Sequence, residues 1–350
     1  MMSQVRIAVA GAGPSGARHT EEVDASESAV LAAIVDPSPS GTELAAKYGV
    51  PQYPSLTELI ATDKPDGIIL ATPSRMHVDG GLQCVAAGVP VLVDKPIGHN
   101  VIAATRLVKA GERARVPVLT GHHRNYAPIM TEAREIIRSG VLGTVIGVSG
   151  TAMFYKPDEY FDVGGRWRRE PGSGPILLDF THEINNVLSL IGDIATVMAA
   201  TSNPTRGFPA EDTSAMIFYF ANGALGTFLL LDAAASAHSW EHQPARQDAG
   251  PSIGSDEDAY HIVGTQASLS MPTMRVSTYE GSPSSSQPLT TSRHGMELSH
   301  PLTIQMTHFA DVIRGDAHPL CSGRDGLKTL QVVEAIVESA RIGRPVDIAN

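Results

Sequence analysis

Two constellations in the first hundred residues carry chemistry. Gly11-Ala12-Gly13-Pro14-Ser15-Gly16 is a GxGxxG loop, and Asp36 follows Gly16 by twenty residues. In such a loop the first glycine permits a tight turn, and the second lets the backbone approach a pyrophosphate. The third lets a helix pack closely on a strand. Pro14 and Ser15 open that helix, and a proline in the first turn loses no hydrogen bond. The helix N-terminus then aims N–H groups and partial positive charge at the phosphates. Asp36 is placed to accept from both ribose hydroxyls of an adenosine. A 2′-phosphate would meet its carboxylate, so NAD is favoured over NADP, although Ser38 offers a 2′-phosphate one donor. The second constellation is Asp94-Lys95-Pro96, at the end of the apolar run Val91-Leu92-Val93. Parallel sheets bind ligands at the carboxyl ends of their strands. A dinucleotide loop with a lysine at such a strand end points to redox chemistry with a nicotinamide cofactor.

These residues meet only if strands and helices alternate. Apolar runs at 5–10, 30–35, 67–71, 89–93 and 116–119 read as buried strands. Between them, 41–48, 56–61, 76–87 and 101–114 read as helices, so the first third predicts a parallel, doubly wound sheet. Gly121-His122-His123-Arg124 reads as the junction, giving a Rossmann domain over 1–122. The remainder, 123–350, changes character. It predicts helices over 127–139 and 180–191 and a strand over 145–155. Further strands fall near 196–201, 214–220, 224–232, 259–264 and 267–270, with an Asn222-Gly223 hairpin turn. This is an α+β domain with a large, mostly antiparallel open sheet, helices on one face and the other left to pair with a second copy. Stretches 236–258 and 281–298 read as loops. An amphipathic helix over 327–342 closes the chain and is a candidate to pack back on the first domain.

The chain has 350 residues, enough for two cores. Lys plus Arg number 26 against 37 Asp plus Glu, a net charge of −11, which argues against nucleic acid or an anionic membrane as partner. Cys84 and Cys321 have no metal-ligand spacing and read as free thiols. No apolar run approaches the ~20 residues of a membrane span. Met1-Met2-Ser3-Gln4 leads into a strand without the apolar stretch of a secretion signal, so the expected location is cytoplasmic. No metal is expected. His122 and His123 are adjacent, and in a strand they would face opposite ways.

The order of motifs resembles the Gfo/Idh/MocA family of oxidoreductases over essentially the whole chain. The matching residues are the glycine loop, Ala71-Thr72-Pro73-Ser74 with His77, and Asp94-Lys95-Pro96. Gly174 to Asp179 with His182 follows, and then His308 to Ile313. The resemblance implies a Rossmann domain followed by an α/β sheet domain. It also implies hydride transfer between NAD(P) and a sugar, cyclitol or related polyol, and it adds Thr72, Pro73, Ser74, His77 and Asp94 to the cofactor site. The family also contains non-catalytic regulators and NAD-dependent glycosidases, so both stand as alternatives. Two departures are visible. The usual Glu-Lys-Pro is here Asp94-Lys95-Pro96, and His182 stands three residues after Asp179 where many members have four, with Glu183 in the fourth place.

Taking a hydride from a secondary alcohol also requires its hydroxyl proton to leave, so a base and a cation are needed. Lys95 supplies the cation. His182 is the natural proton carrier, because an unperturbed imidazole titrates near ~6.5. If Phe180, Ile184, Val187, Leu188 and Ile191 form a buried stripe, then Asp179, His182 and Asn186 share the opposite face. Asp179 then orients a ring nitrogen of His182, or simply caps the helix. Glu183 is either in the site or solvated. His123 and Arg124, at the junction, are candidates to meet substrate. Tyr155, Arg166 and Trp167 lie in a stretch rich in aromatic and basic residues that also holds Lys156, Tyr160, Arg168 and Arg169. That stretch is either a solvated loop or a pocket for a ring bearing a carboxylate.

Overall fold

Hydrophobic pattern and turn chemistry divide the chain into two units, each with its own sheet. The computed structural model describes residues 4–348 except 163–164, 241–255, 282–283, 285 and 295–298. The first unit runs to Tyr126 and includes Pro301–Leu330; the second is Ala127–His300 with the chain from Gln331 onward.

The first unit alternates β1 (Val5–Ala10), α1 (Pro14–Asp24), β2 (Ala29–Val35), α2 (Pro39–Tyr48), β3 (Gln52–Tyr53), α3 (Leu56–Thr62), β4 (Gly67–Leu70), α4 (Ser74–Ala86), β5 (Val91–Val93), α5 (Val101–Ala114) and β6 (Val118–Thr120). Its strands are short and almost wholly buried, as the fully apolar runs require. Side-chain caps set several helix starts: Ser38, Ser55 and Asn100 each accept a backbone N–H at the start of α2, α3 and α5. The six strands are parallel, in the order β3-β2-β1-β4-β5-β6. The order reverses between β1 and β4, which is where such sheets open a binding crevice.

The second unit contains α6 (Pro128–Arg138), β7 (Val145–Met153), α7 (Pro175–Leu178), α8 (Phe180–Ile191), β8 (Ile194–Ser202), β9 (Thr213–Phe220), β10 (Leu225–Leu231), β11 (Tyr260–Gly264), β12 (Ala267–Met271), β13 (Arg275–Tyr279) and β14 (Leu289–Arg293). After α9 (Pro301–Arg314) and α10 (Gly323–Ile342), β15 (Val346–Asp347) completes a nine-stranded sheet, β14-β13-β12-β11-β7-β10-β9-β8-β15. Only β7 and β10 pair in parallel. One core joins the inner face of this sheet to residues of α6, α8 and the later part of α10. Among the described residues no helix is long and apolar enough to cross a membrane.

Three expectations change. The helix Pro301–Arg314 belongs with the first unit rather than with the region after residue 123. Its Met306, Phe309, Ala310 and Val312 join Val9, Val23 and Ile34 in the core on one face of the parallel sheet. Part of the stretch 281–298, expected to be loop, is strand β14, and parts of both expected loops lie outside the described residues. His122 and His123 are not in a strand: β6 ends at Thr120, and His123 begins a short 3-10 turn, His123–Tyr126.

Candidate functional site

In the first unit the glycine loop has the shape its sequence requires. Gly11 has φ +103, and a Cβ there would lie 2.5 Å from the Ala71 carbonyl oxygen. A Cβ on Gly16 would lie 1.9 Å from the Gly11 oxygen. At Gly13 nothing lies within 4 Å of a Cβ position, so the loop is open on that side. Gly13 is also the N-cap of α1, with no side chain on the helix's first N–H groups and Pro14 in the first turn. Helix α4 starts at Ser74 behind Pro73, again without a side-chain cap. Two open helix N-termini thus stand at the ends of neighbouring strands β1 and β4, a setting suited to phosphate.

Asp36 ends β2. Its Oδ2 accepts from the Ala12 N–H at 2.8 Å and its Oδ1 from the Ser38 N–H at 2.8 Å. Burial alone would raise its pKa, but the hydrogen bonds from Ser38 and Ala12 hold it below the usual carboxylate range. A carboxylate has about four acceptor positions, so the ribose can still be received. The Ser38 hydroxyl oxygen accepts from the Gly41 N–H and so caps α2. Asp94 joins two parts of the site: one oxygen takes the Ser15 hydroxyl, the other the Lys95 N–H at 2.8 Å. Thr72 Oγ1 is buried and has no hydrogen-bond partner among the described residues. An open phosphate cradle, an ionised Asp36 and an unsatisfied Thr72 hydroxyl fit a dinucleotide. Beside Lys95 the environment is crowded with potential cations. Burial and the charge of Lys95 push His122 down to about 3, and burial together with Arg124 holds His123 well below the usual histidine range. Arg124 itself is buried.

In the second unit Asp179 sits at the joint between α7 and α8 and caps neither helix through its side chain. Its carboxylate is ion-paired with Lys156. The spacing of Asp179 and His182 does not point to that partner. The Lys156 ammonium also lies over the Tyr160 ring at 4.7 Å and the Phe154 ring at 5.4 Å. Arg206, from the β8–β9 connection, holds this corner: it donates to the Lys156 carbonyl at 2.7 Å and pairs with buried Asp232 at 3.1 Å.

The predicted stripe of α8 is present: Phe180, Ile184, Val187 and Ile191 are buried in the second unit's core, and half-buried Leu188 packs against it. The opposite face is buried too, with His182, Glu183 and Asn186. Part of it meets a polar partner instead of water. Glu183 is 3% exposed and takes the Tyr260 hydroxyl, which also accepts from Asn186 Nδ2 at 3.2 Å. Glu183 is therefore not solvated. Trp167, Tyr155 and Arg166 are exposed. The Arg168 guanidinium lies over Trp167 at 4.6 Å and Tyr160 at 4.7 Å. Of the expected substrate residues, His123 and Arg124 belong to the first unit, and Tyr155, Arg166, Trp167 and Glu183 to the second. Among the described residues no group of three or more His, Cys, Asp or Glu is arranged to hold a metal.

Sequence reasoning missed Lys156 as the partner of Asp179, and it missed Arg206, Asp232 and Tyr260 altogether. Lys156 did stand out, as part of a basic gathering. Tyr260 is 77 residues from Glu183, and no local pattern joins them.

Comparison with known proteins matches two successive stretches of the chain. A family profile described as an oxidoreductase family, NAD-binding Rossmann fold, matches residues 5–122. Its companion, the C-terminal alpha/beta domain of that oxidoreductase family, matches 134–348. The first unit is thus an NAD-binding Rossmann domain. The chain is 32% identical over 205 residues to the rhizopine catabolism protein MocA of Rhizobium meliloti, covering 58% of this chain and 63% of that one. It therefore spans just under two thirds of that relative's length. It is 24% identical to D-apiose dehydrogenase of Rhizobium rhizogenes, over 99% of this chain and 98% of the other. A crystal structure of an oxidoreductase from Agrobacterium radiobacter, in complex with NAD+, L-tartaric acid and magnesium, superposes with a TM-score of 0.80. It has 22% identity and covers 99% of each chain.

Proposed function

The chain belongs to the Gfo/Idh/MocA family of oxidoreductases, and from that premise we propose that it is an NAD-dependent dehydrogenase. Its reaction moves a hydride between nicotinamide and a secondary alcohol of a sugar, cyclitol, sugar acid or related cyclic diol. The observation that carries this reading is the double grip of Asp94. It holds Ser15 of the glycine loop with one oxygen and the Lys95 backbone with the other, so a lysine is built into the dinucleotide cradle itself. The full-length relative named D-apiose dehydrogenase supports a sugar-like substrate.

The glycine loop and the first turn of α1 would hold the pyrophosphate, and Asp36 the adenosine ribose. Thr72, Pro73, Ser74, Asp94 and Lys95 would line the nicotinamide half, with His77 behind them. When bound, the cofactor supplies the hydride acceptor. Lys95 stabilises the negative charge that grows on the substrate oxygen. His182 receives the hydroxyl proton. Lys156 keeps Asp179 paired within the second unit, and Arg168, stacked between Trp167 and Tyr160, offers a cation to a carboxylate.

The same reading includes a second copy as partner. On the outer face of the large sheet, Met198, Ile217, Tyr219, Leu225 and Val263 are exposed and fall in two adjacent rows by strand register. Such an apolar face suits pairing between copies of the chain.

The test is a scan of nicotinamide absorbance over sugars, cyclitols, sugar acids and their glycosides. Net NADH with at least one polyol is expected. Released aglycone without NADH would replace the reading with a glycosidase, and tight binding with neither would replace it with a sensor.

A further inference from the structure

His77 lies in the first turns of α4 and is 2% exposed. Its two ring nitrogens reach different loops. Nδ1 is 2.8 Å from the carbonyl oxygen of Pro96, and Nε2 is 2.7 Å from the carbonyl oxygen of Thr72. Both partners are acceptors and bring no proton of their own. The ring thus stands between the two loops, with one nitrogen facing each carbonyl.

The two loops are the ones that matter for the chemistry. Thr72 carries the buried hydroxyl without a hydrogen-bond partner among the described residues, at the end of β4. Pro96 immediately follows Lys95, at the end of β5. On the other side of Lys95, Asp94 fixes the lysine N–H through its side chain, and the Asp94 N–H donates to the Leu70 oxygen at 2.8 Å. The backbone of Lys95 is thus gripped before and after the residue.

We propose that His77 is a positioning residue: its ring bridges the Thr72 and Pro96 carbonyls, one nitrogen on each, and so fixes the backbone that presents Lys95. His77 is argued to act through Lys95 and to touch neither substrate nor cofactor. The proposal rests on the catalytic reading of Lys95 given above.

The test is a split between binding and turnover. His77→Gln keeps a polar end but loses the ring whose two nitrogens face both carbonyls at once. Its kcat is expected to fall by about 10²-fold, the scale of an ångström misplacement. The dissociation constant for ADP-ribose, which lacks the nicotinamide, should stay within about twofold, a difference of ~0.4 kcal/mol. Equal loss of both would mean general damage to the fold and would overturn the positioning role. Lys95→Ala separates the two claims. If it stays active, the reading of Lys95 fails. If it is inactive while His77→Gln is normal, only the clasp fails.

Discussion

Acidification should expose the burial of His122. This histidine is 2% exposed, and burial, followed by the charge of Lys95, pushes its pKa down to about 3. An imidazole in the unfolded chain titrates near ~6.5. Below that pH the unfolded chain takes up a proton that the folded one refuses. The unfolded state then binds more protons, so stability rises with pH through this window. The contribution is whole above about pH 6.5 and is lost as pH falls toward about 3. Between about pH 7 and pH 5 this one group removes about 2 kcal/mol. His19 and His123 shift in the same direction by burial, so a difference measurement is needed to isolate His122. His122→Asn deletes the titration. The probe is hydrogen exchange at the Ala71 amide, which donates to the Ala10 oxygen at 2.8 Å within the first sheet, after correction for the intrinsic pH dependence of exchange. Tryptophan fluorescence does not serve, because Trp167 and Trp240 both lie in the second unit. Wild-type protection is expected to fall by about 2 kcal/mol more than that of the variant over this range. Parallel curves would show that folded His122 accepts a proton as readily as a solvated one, and the burial argument would be refuted.

Four further outcomes follow from the two units. Wild-type protein should bind NAD at least ~10-fold more tightly than NADP, and Asp36→Ala should narrow that gap by at least ~1.4 kcal/mol in calorimetry; an unchanged ratio would remove Asp36 from the ribose site. His182→Asn should lower kcat by about 10²–10⁴. Glu183→Gln should instead weaken folding by roughly 1–3 kcal/mol at the Tyr260 contact and leave turnover nearly intact, so an inactive but fully stable Glu183→Gln would reassign the proton carrier. Lys156→Met and Asp179→Asn should not add in their effect on turnover, with a coupling of roughly 0.5–3 kcal/mol; strict additivity would mean that the ion pair does not act as one unit.

The nucleotide half was legible because its requirements are local. Gly11, Gly13 and Gly16 are fixed by backbone space, and Asp36 by its place at the end of a neighbouring strand. The alternation of short apolar runs gave the parallel sheet, and Asn222-Gly223 gave a hairpin between β9 and β10. The polar cluster of the second unit was less legible because its partners come from distant segments of the chain. Helix α8 illustrates the difficulty. An amphipathic pattern normally marks a solvated polar face, yet here Glu183 and Asn186 are buried against Tyr260. Periodicity reports polarity and cannot say whether the polar side meets water or a hydroxyl. Asp179 is a similar case: its ion-pair partner Lys156 lies 23 residues earlier, where no local spacing points to it. Helix Pro301–Arg314 has apolar spacing clear enough to read, but its place in the first unit depends on which sheet face was left uncovered.

That last helix also sets a timetable for synthesis. The parallel sheet is encoded by the opening part of the chain, but one of its two cores is completed by Met306, Phe309, Ala310 and Val312. The other core takes in Leu330. On a ribosome adding about 5–20 residues per second, roughly 10–40 s separate the emergence of Tyr126 from that of Leu330. Through that interval the nascent Rossmann unit carries an apolar face that only later residues can cover. Chaperone demand during translation, and the failure of fragments cut after the last parallel strand to remain in solution, are the cellular consequences expected of a nucleotide-binding unit whose lid of hydrophobic residues is translated last.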